Sequence, residues 1–161
     1  MKASVYLETT IIGYLAMRVS GVLRIAANQQ TTRDWWENRR QQFDLFVSRF
    51  VVDECSEGDA VAAQERLAYL EDIPLLQVPD DVNSLAESLI AGVPLPEKAG
   101  IDALHIAVAA VNGIQYLMTW NCKHIANPAL RPRIELLCRE QGYEPPVICT
   151  PQELLEIDDA V

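Results

Sequence analysis

Short apolar runs alternate along this chain with longer segments whose apolar residues recur every three or four positions. The short runs are rich in β-branched and aromatic residues, a composition that is typical of strands. We expect the last strand to lie at an edge of the sheet. The predicted strands are residues 4–7, 49–52, 75–78, 115–120 and 145–150.

Helices are predicted between these strands, and polar residues mark where several of them begin. Thr9 or Thr10 can cap the first helix, and Asp59 can cap the helix at 60–70. A threonine pair can also cap the long segment 31–48, in which tryptophan and phenylalanine residues recur at roughly helical spacing. The other helical segments are residues 22–29, 80–91, 99–111 and 128–141.

The order of these elements predicts the fold class. Parallel strands need crossover connections, and helices between successive strands supply them. We therefore expect an α/β fold, a single domain with a mostly parallel β-sheet flanked by helices on both faces. In such sheets ligands bind outside the carboxyl ends of the strands. The residues that directly follow the strands are therefore the first candidates for a functional site.

Size and composition favour one domain that spans residues 1–161. Half of the 161 residues are hydrophobic, which is enough for a single core. No apolar run reaches the roughly 20 residues that a membrane-spanning helix needs, and the N-terminal segment is too short and too polar for a signal peptide. We expect a cytoplasmic protein with no membrane partner. The four cysteines form no CxxC pair, which favours reduced thiols over a disulfide framework or a structural zinc site.

The net charge of the chain limits the classes of function that are expected. A net charge of −10 argues against a protein that grips nucleic acid with its whole surface. It is compatible with an enzyme that clusters carboxylates in order to hold divalent cations. A basic protein partner could supply the missing positive charge.

Polar side chains follow three of the predicted strands. Glu8 comes directly after the first strand, Glu54 just after the second, and Asn121 after the strand at 115–120. Asp102 lies near the start of a helix that is apolar on nearly all sides and therefore buried. Its carboxylate is expected near the same edge of the sheet.

Binding of a divalent metal ion would explain why these acidic residues should lie at one edge of the sheet. Clustered carboxylates repel one another unless a cation is present. Mg²⁺ and Mn²⁺ prefer oxygen ligands, and a water bound to either ion can attack a phosphodiester. We therefore predict a catalytic group that consists of Glu8, Glu54, Asp102 and Asn121. Of these residues, Glu8, Glu54 and Asp102 are the predicted metal ligands.

The same residues also have simpler explanations. Glu8 could merely charge a loop. Glu54 and Asp102 could be acids at the start of a helix, where the helix dipole favours them. Asn121 could be a helix cap. Position after a strand does not by itself choose between these roles and a metal site.

Four further residues lie close to this group in the sequence. Thr119 could hydrogen-bond a metal ligand or a metal-bound water, and Thr9 is placed with it as a supporting residue. His124 is a third supporting residue; it could meet an RNA phosphate, although a structural role is favoured. His105 shares a helix face with Asp102. We interpret His105 as a core histidine with satisfied hydrogen bonds rather than as a ligand.

Several stretches of the chain resemble a known family. They are VYLETTIIGYL, FVVDECSEGD, DALHIAVAA, YLMTWNCKHIAN and ICTPQELL. In this order they are similar to the PIN domain, and within it to VapC-like toxins of bacterial type II toxin–antitoxin systems. The resemblance covers nearly the whole chain. It implies a Mg²⁺- or Mn²⁺-dependent endoribonuclease that cleaves RNA, usually as a homodimer that a cognate antitoxin neutralises. The aromatic segment around Trp35 and Trp36 is the part of the sequence that favours a dimer.

The family's four acidic positions fall on Glu8, Glu54, Asp102 and Asn121, and two of them depart from the pattern. The first position is usually Asp, so Glu8 adds one methylene of reach. The fourth is often Asp, and an amide keeps the oxygen acceptor but loses the charge. Metal affinity should be weaker than with four acids. Two other readings stay open: a PIN-like module that binds RNA or protein with little or no catalysis, and an RNA-processing nuclease without an antitoxin.

Overall fold

A parallel β-sheet forms the centre of the protein in its computed structural model, which describes residues 1–95 and 99–155. Within these ranges four strands lie in the order β2-β1-β3-β4, and every pairing is parallel. The predicted α/β fold class is confirmed, as is the edge position of the last strand. The strands are β1 (Ala3–Leu7), β2 (Phe43–Phe46), β3 (Tyr116–Met118) and β4 (Val147–Cys149).

Helices cover both faces of the sheet. Crossovers between parallel strands are right-handed. The connection from β1 to β2 runs toward one edge of the sheet and the later connections run toward the other, so right-handed crossovers place the first two helices and the last three on opposite faces. The first two helices contact each other, and the fifth contacts both the sixth and the seventh. No helix in the described ranges is long and apolar enough to cross a membrane. The helices are α1 (Thr9–Ala16), α2 (Leu23–Asn38), α3 (Arg49–Cys55), α4 (Ala60–Ala68), α5 (Asp80–Gly92), α6 (Gly100–Val111) and α7 (Arg131–Glu140).

The second strand lies earlier in the chain than predicted. Residues 49–52 form the start of α3, and β2 falls inside the segment 31–48 that was expected to be helical. The side-chain oxygen of Ser48 accepts a hydrogen bond from the amide of Phe50 at 3.2 Å and so caps α3. The strand and the start of the helix lie in one mainly apolar stretch, residues 43–52, which only Asp44, Ser48 and Arg49 interrupt. Periodicity alone cannot place the boundary within such a run.

Three other element boundaries differ from the prediction. The segment 22–29 and the start of 31–48 join into the single helix α2. The strand predicted at 75–78 is reduced to one isolated bridge, between Val47 and Leu75 beside β2. The last helix, α7, begins at Arg131, since the residues from Pro128 onward form turns first. None of these shifts moves a predicted site residue.

The aromatic residues of α2 serve the interior of the molecule. Trp35 has no exposed surface, and its ring centroid lies 5.6 Å from that of Phe43. Trp36 meets Tyr69 edge to face, and the guanidinium of Arg40 lies 4.5 Å above its ring centroid. The side chain of Trp35 is therefore part of the core of the chain.

The cysteines are free thiols, as predicted, and three of them are buried. Burial raises the pKa of Cys55 and of Cys138 to about 11 and that of Cys149 to about 12. At neutral pH these three side chains are therefore protonated and pack as small hydrophobes. Cys122 is exposed.

Candidate functional site

Glu8 lies where β1 ends and α1 begins, and its carboxylate is nearly enclosed, with 3 % exposure. Its Oε1 atom accepts hydrogen bonds from the amide of Thr10 at 3.2 Å and from the hydroxyl of Thr119 at 2.6 Å, and also from the hydroxyl of Thr10. Glu8 is therefore the N-cap of α1. The prediction that Thr9 or Thr10 caps this helix is wrong. The preceding residue, Glu8, is the N-cap, because its side chain reaches over the first turn to the amide of Thr10.

Glu54 lies in the last turn of α3, so the prediction that it directly follows a strand is wrong. Only two residues separate the end of β2 from the start of the helix, so Glu54 still lies close to the sheet. Its Oε1 accepts a hydrogen bond from the Thr9 hydroxyl at 2.5 Å and lies 2.6 Å from Nε2 of His105. Burial acts to raise the pKa of Glu54, but the hydrogen bonds from His105 and Thr9 outweigh it. The net pKa is lowered.

His105 continues a buried chain of hydrogen bonds behind Glu54. Its Nδ1 lies 2.6 Å from the hydroxyl of Tyr6, which lies 2.8 Å from the hydroxyl of Ser48. His105, Tyr6 and Ser48 have no exposed surface. Burial raises the pKa of Tyr6 far above its ordinary value, so its phenol stays neutral. The predicted burial and hydrogen bonding of His105 are confirmed.

Three side chains converge at this end of the sheet. Glu8, Glu54 and His105 each offer one ligand atom, and these three atoms lie within 4.8 Å of one another. Among the described residues, Asp102 is not part of this group. The sequence thus predicted two of these three residues, Glu8 and Glu54, as metal ligands, but it did not predict that His105 would offer a ligand atom. The available signal was its spacing of three residues from Asp102, which places both on one face of α6.

Asp102 and Asn121 form a second group. Oδ1 of Asp102 accepts a hydrogen bond from the side-chain amide of Asn121 at 3.2 Å, and its Oδ2 lies 2.9 Å from Nδ1 of His124. The Asn121 side-chain oxygen accepts a hydrogen bond from the backbone amide of His124 at 3.1 Å. Nε2 of His124 is buried without a hydrogen-bond partner in the described part of the chain. The favoured structural role of His124 agrees with these contacts.

Thr119 joins the two groups. Its hydroxyl donates to Glu8 at 2.6 Å and accepts a hydrogen bond from the backbone amide of Asn121 at 2.9 Å. The contact of the Thr119 hydroxyl with Glu8 agrees with the supporting position predicted for Thr119. Thr9 has the corresponding contact with Glu54. Glu8, Asn121 and Asp102 are therefore linked through Thr119, whereas Glu54 is held separately by Thr9 and His105.

The donor set fits a divalent cation. Two ligands on opposite sides of a small cation such as Mg²⁺ lie about 4.2 Å apart, and the three candidate ligand atoms lie within 4.8 Å of one another. The hydrogen bonds from the three threonines and from His105 all fall on the Oε1 atoms of the two glutamates. None of the hydrogen bonds named above falls on the second oxygen of either carboxylate, which is therefore available to a cation. Carboxylate and imidazole together are a common ligand set for Mn²⁺ and its neighbours.

We predict that Thr119→Val destabilises the metal-free protein by about 1.5–3 kcal/mol, because the buried Glu8 charge loses a hydrogen bond. Valine has nearly the same shape, so the loss reports the hydroxyl. Urea unfolding at neutral pH with a chelator measures it. Thr31→Val is the matched control, since the Thr31 hydroxyl donates to a carbonyl of its own helix; we expect a change within about 0.5 kcal/mol. Equal effects of the two substitutions would contradict the role assigned to Thr119.

We also predict a pH signature for Glu54. Its pKa is lowered below the ordinary 4.5, so its contribution to stability is present above about pH 4.5 and is lost as the pH falls through the folded-state pKa. The stability difference between wild type and Glu54→Gln should therefore shrink on acidification. Chelator-treated protein, unfolded in urea at a series of pH values, tests this. Asp53→Asn controls for removal of an exposed neighbouring carboxylate. A difference that grows as the pH falls would contradict the lowered pKa.

A scan against protein-family models found no match, and a search of the curated proteins found none either. The resemblance to the PIN domain therefore rests on the residues quoted above.

Proposed function

We propose that this protein is a metal-dependent endoribonuclease that hydrolyses RNA phosphodiester bonds. The observation that carries the proposal is the meeting of Glu8 and Glu54 with His105, with ligand atoms within 4.8 Å at the carboxyl edge of a parallel sheet. Ligands bind at this edge in folds of this class. Holding two carboxylates together away from water is costly, and a bound cation removes much of that cost.

Glu8 and Glu54 would hold Mg²⁺ or Mn²⁺, with Asp102 as the third carboxylate one helical turn before His105. When bound, such an ion polarises a phosphoryl oxygen and lowers the pKa of its bound water. The protein's own part is positioning. Thr10 and Thr119 fix the Glu8 carboxylate, and Thr9 fixes that of Glu54.

Asn121 has a different role from the acids in this proposal. Its amide donates to Asp102, and its side-chain oxygen accepts from the His124 amide. Both ends of the side chain are therefore used to hold neighbours. Asn121 is a neutral positioning residue for Asp102, which agrees with the loss of charge at the family's fourth position.

The resemblance to PIN domains is what supports RNA as the substrate. The net charge of −10 means that the proposed enzyme holds RNA through few local contacts rather than a broad basic surface. One observation favours the second candidate, a binding module with little catalysis. Both oxygens of Asp102 are already engaged by Asn121 and His124. Metal binding without RNA cleavage would select that candidate.

For the nuclease we predict that Glu54→Gln lowers RNA cleavage by at least about 100-fold, since even the loss of a residue that supports a metal ligand costs 10–100-fold. Asp102→Asn should have a similar effect. Cleavage of a fluorescent RNA with Mn²⁺ or Mg²⁺, against a chelator control, measures both. Asp53→Asn alters the adjacent exposed carboxylate and should keep full activity. Wild-type activity in Glu54→Gln, or no cleavage with either ion, would count against the nuclease.

The resemblance further supports a toxin that acts on cytoplasmic RNA, forms a homodimer and is neutralised by a cognate antitoxin. We predict that expression of the chain arrests bacterial growth, and that Glu54→Gln, produced at the same level, does not. Co-expression of a small neighbouring reading frame should restore growth. Normal growth despite soluble, RNA-cleaving wild-type protein would instead favour an RNA-processing nuclease without an antitoxin.

A further inference from the structure

The two histidines of this chain have different surroundings. His124 is partly exposed, with a quarter of its side chain accessible, whereas His105 has no exposed surface and lies between Glu54 and Tyr6. We infer that His105 is a nitrogen ligand of the ion held by Glu8 and Glu54, and that Tyr6 and Ser48 are positioning residues that set its tautomer. The inference rests on the metal-binding part of the proposed function and identifies the class of ion.

The two ring nitrogens of His105 face different partners. Nε2 faces the two glutamates: it lies 2.6 Å from Oε1 of Glu54, and one ligand atom of Glu8 lies within 4.8 Å of the pair. Nδ1 lies on the other side of the ring, against the Tyr6 hydroxyl. The imidazole is therefore oriented so that Nε2 is the nitrogen that can reach an ion between the carboxylates.

Binding through Nε2 requires a particular tautomer. A coordinating nitrogen must present its lone pair, so the ring proton has to lie on Nδ1 and needs an acceptor there. The Tyr6 oxygen, 2.6 Å away, is that acceptor. Tyr6 can then donate its own proton to the Ser48 hydroxyl oxygen at 2.8 Å.

The same series of hydrogen bonds can form in the metal-free protein. With the proton on Nε2, His105 donates to Glu54, Tyr6 donates to Nδ1, and Ser48 donates to Tyr6. The two arrangements differ in which ring nitrogen of His105 carries the proton and in the rotation of two hydroxyls. Tyr6 keeps both of its hydrogen-bond partners in either arrangement. The bond from Nε2 of His105 to Glu54 exists only in the metal-free arrangement, and a bound ion would take its place.

An imidazole among the ligands changes the choice of ion. Mg²⁺ demands oxygen ligands and keeps several of its waters, whereas first-row transition ions accept imidazole nitrogen. The site of Glu8, Glu54 and His105 should therefore bind Mn²⁺ in preference to Mg²⁺. An all-carboxylate site would show a smaller preference.

The decisive measurement is pulsed electron paramagnetic resonance of the Mn²⁺-loaded protein, in which a coordinated nitrogen gives its own modulation. Protein labelled with ¹⁵N only in histidine assigns that signal to the two imidazoles. We expect it in wild type and in His124→Gln, where His105 is the remaining histidine. We expect it to be absent in His105→Gln.

Tyr6→Phe tests the positioning role without removing the ring from the core. Loss of the hydroxyl should weaken Mn²⁺ binding by about 10–100-fold, the usual effect of removing the partner of a ligating histidine. Mg²⁺ binding should change much less. A purely structural role would lower stability without altering the ratio of the two affinities, so calorimetric titrations with each ion distinguish the two roles.

The outcomes separate this inference from the proposed function. Bound Mn²⁺ without a histidine nitrogen signal, or a signal that persists in His105→Gln, overturns the inference and leaves a carboxylate-based nuclease in place. A histidine-bound Mn²⁺ in a protein that cleaves no RNA upholds the inference and contradicts the nuclease. Failure of wild type and His124→Gln to bind Mn²⁺ at all overturns both.

Discussion

Two glutamates that share one end of a parallel sheet impose the central constraint on this structure. Removing a carboxylate from water costs several kcal/mol unless hydrogen bonds or a counter-charge replace the lost hydration. Glu8 is almost fully enclosed, and Glu54 is about a third exposed. Most of the polar side chains around them supply hydrogen bonds that replace those lost with the water.

The sequence Glu8-Thr9-Thr10 solves much of this problem within three residues. Successive side chains on a helix point about 100° apart. The two threonines in the first turn of α1 therefore donate hydrogen bonds to different glutamates. Thr10 donates to Glu8 and Thr9 donates to Glu54. The junction between β1 and α1 therefore fixes the relative position of two carboxylates that are 46 residues apart in the chain.

How much of this could be predicted depends on whether the information is local. Glu8 and Asn121 follow strands that the apolar pattern places correctly, and an acid on an apolar helix marks Asp102. Glu54 was predicted correctly to lie near the sheet although residues 49–52, predicted as the strand before it, are part of helix α3. Because α3 starts so soon after β2, Glu54 lies near the end of the sheet whether residues 49–52 form a strand or a helix. The partner of His105 could not be foreseen, since contact with Glu54 depends on how α3 and α6 pack, and no spacing along the chain records that.

The supports of the two glutamates share one chemical property that matters for function. They are mainly hydroxyls and an imidazole, whose protons can rotate or move between nitrogens, rather than ammonium or guanidinium groups. A fixed cation in the same place would neutralise the carboxylates permanently and would compete with a metal for them. Hydroxyl donors satisfy the oxygens when no ion is present and leave the negative charge available to one. In the proposed metal site, these donors would hold the two carboxylates in place while keeping the charge that a divalent ion requires.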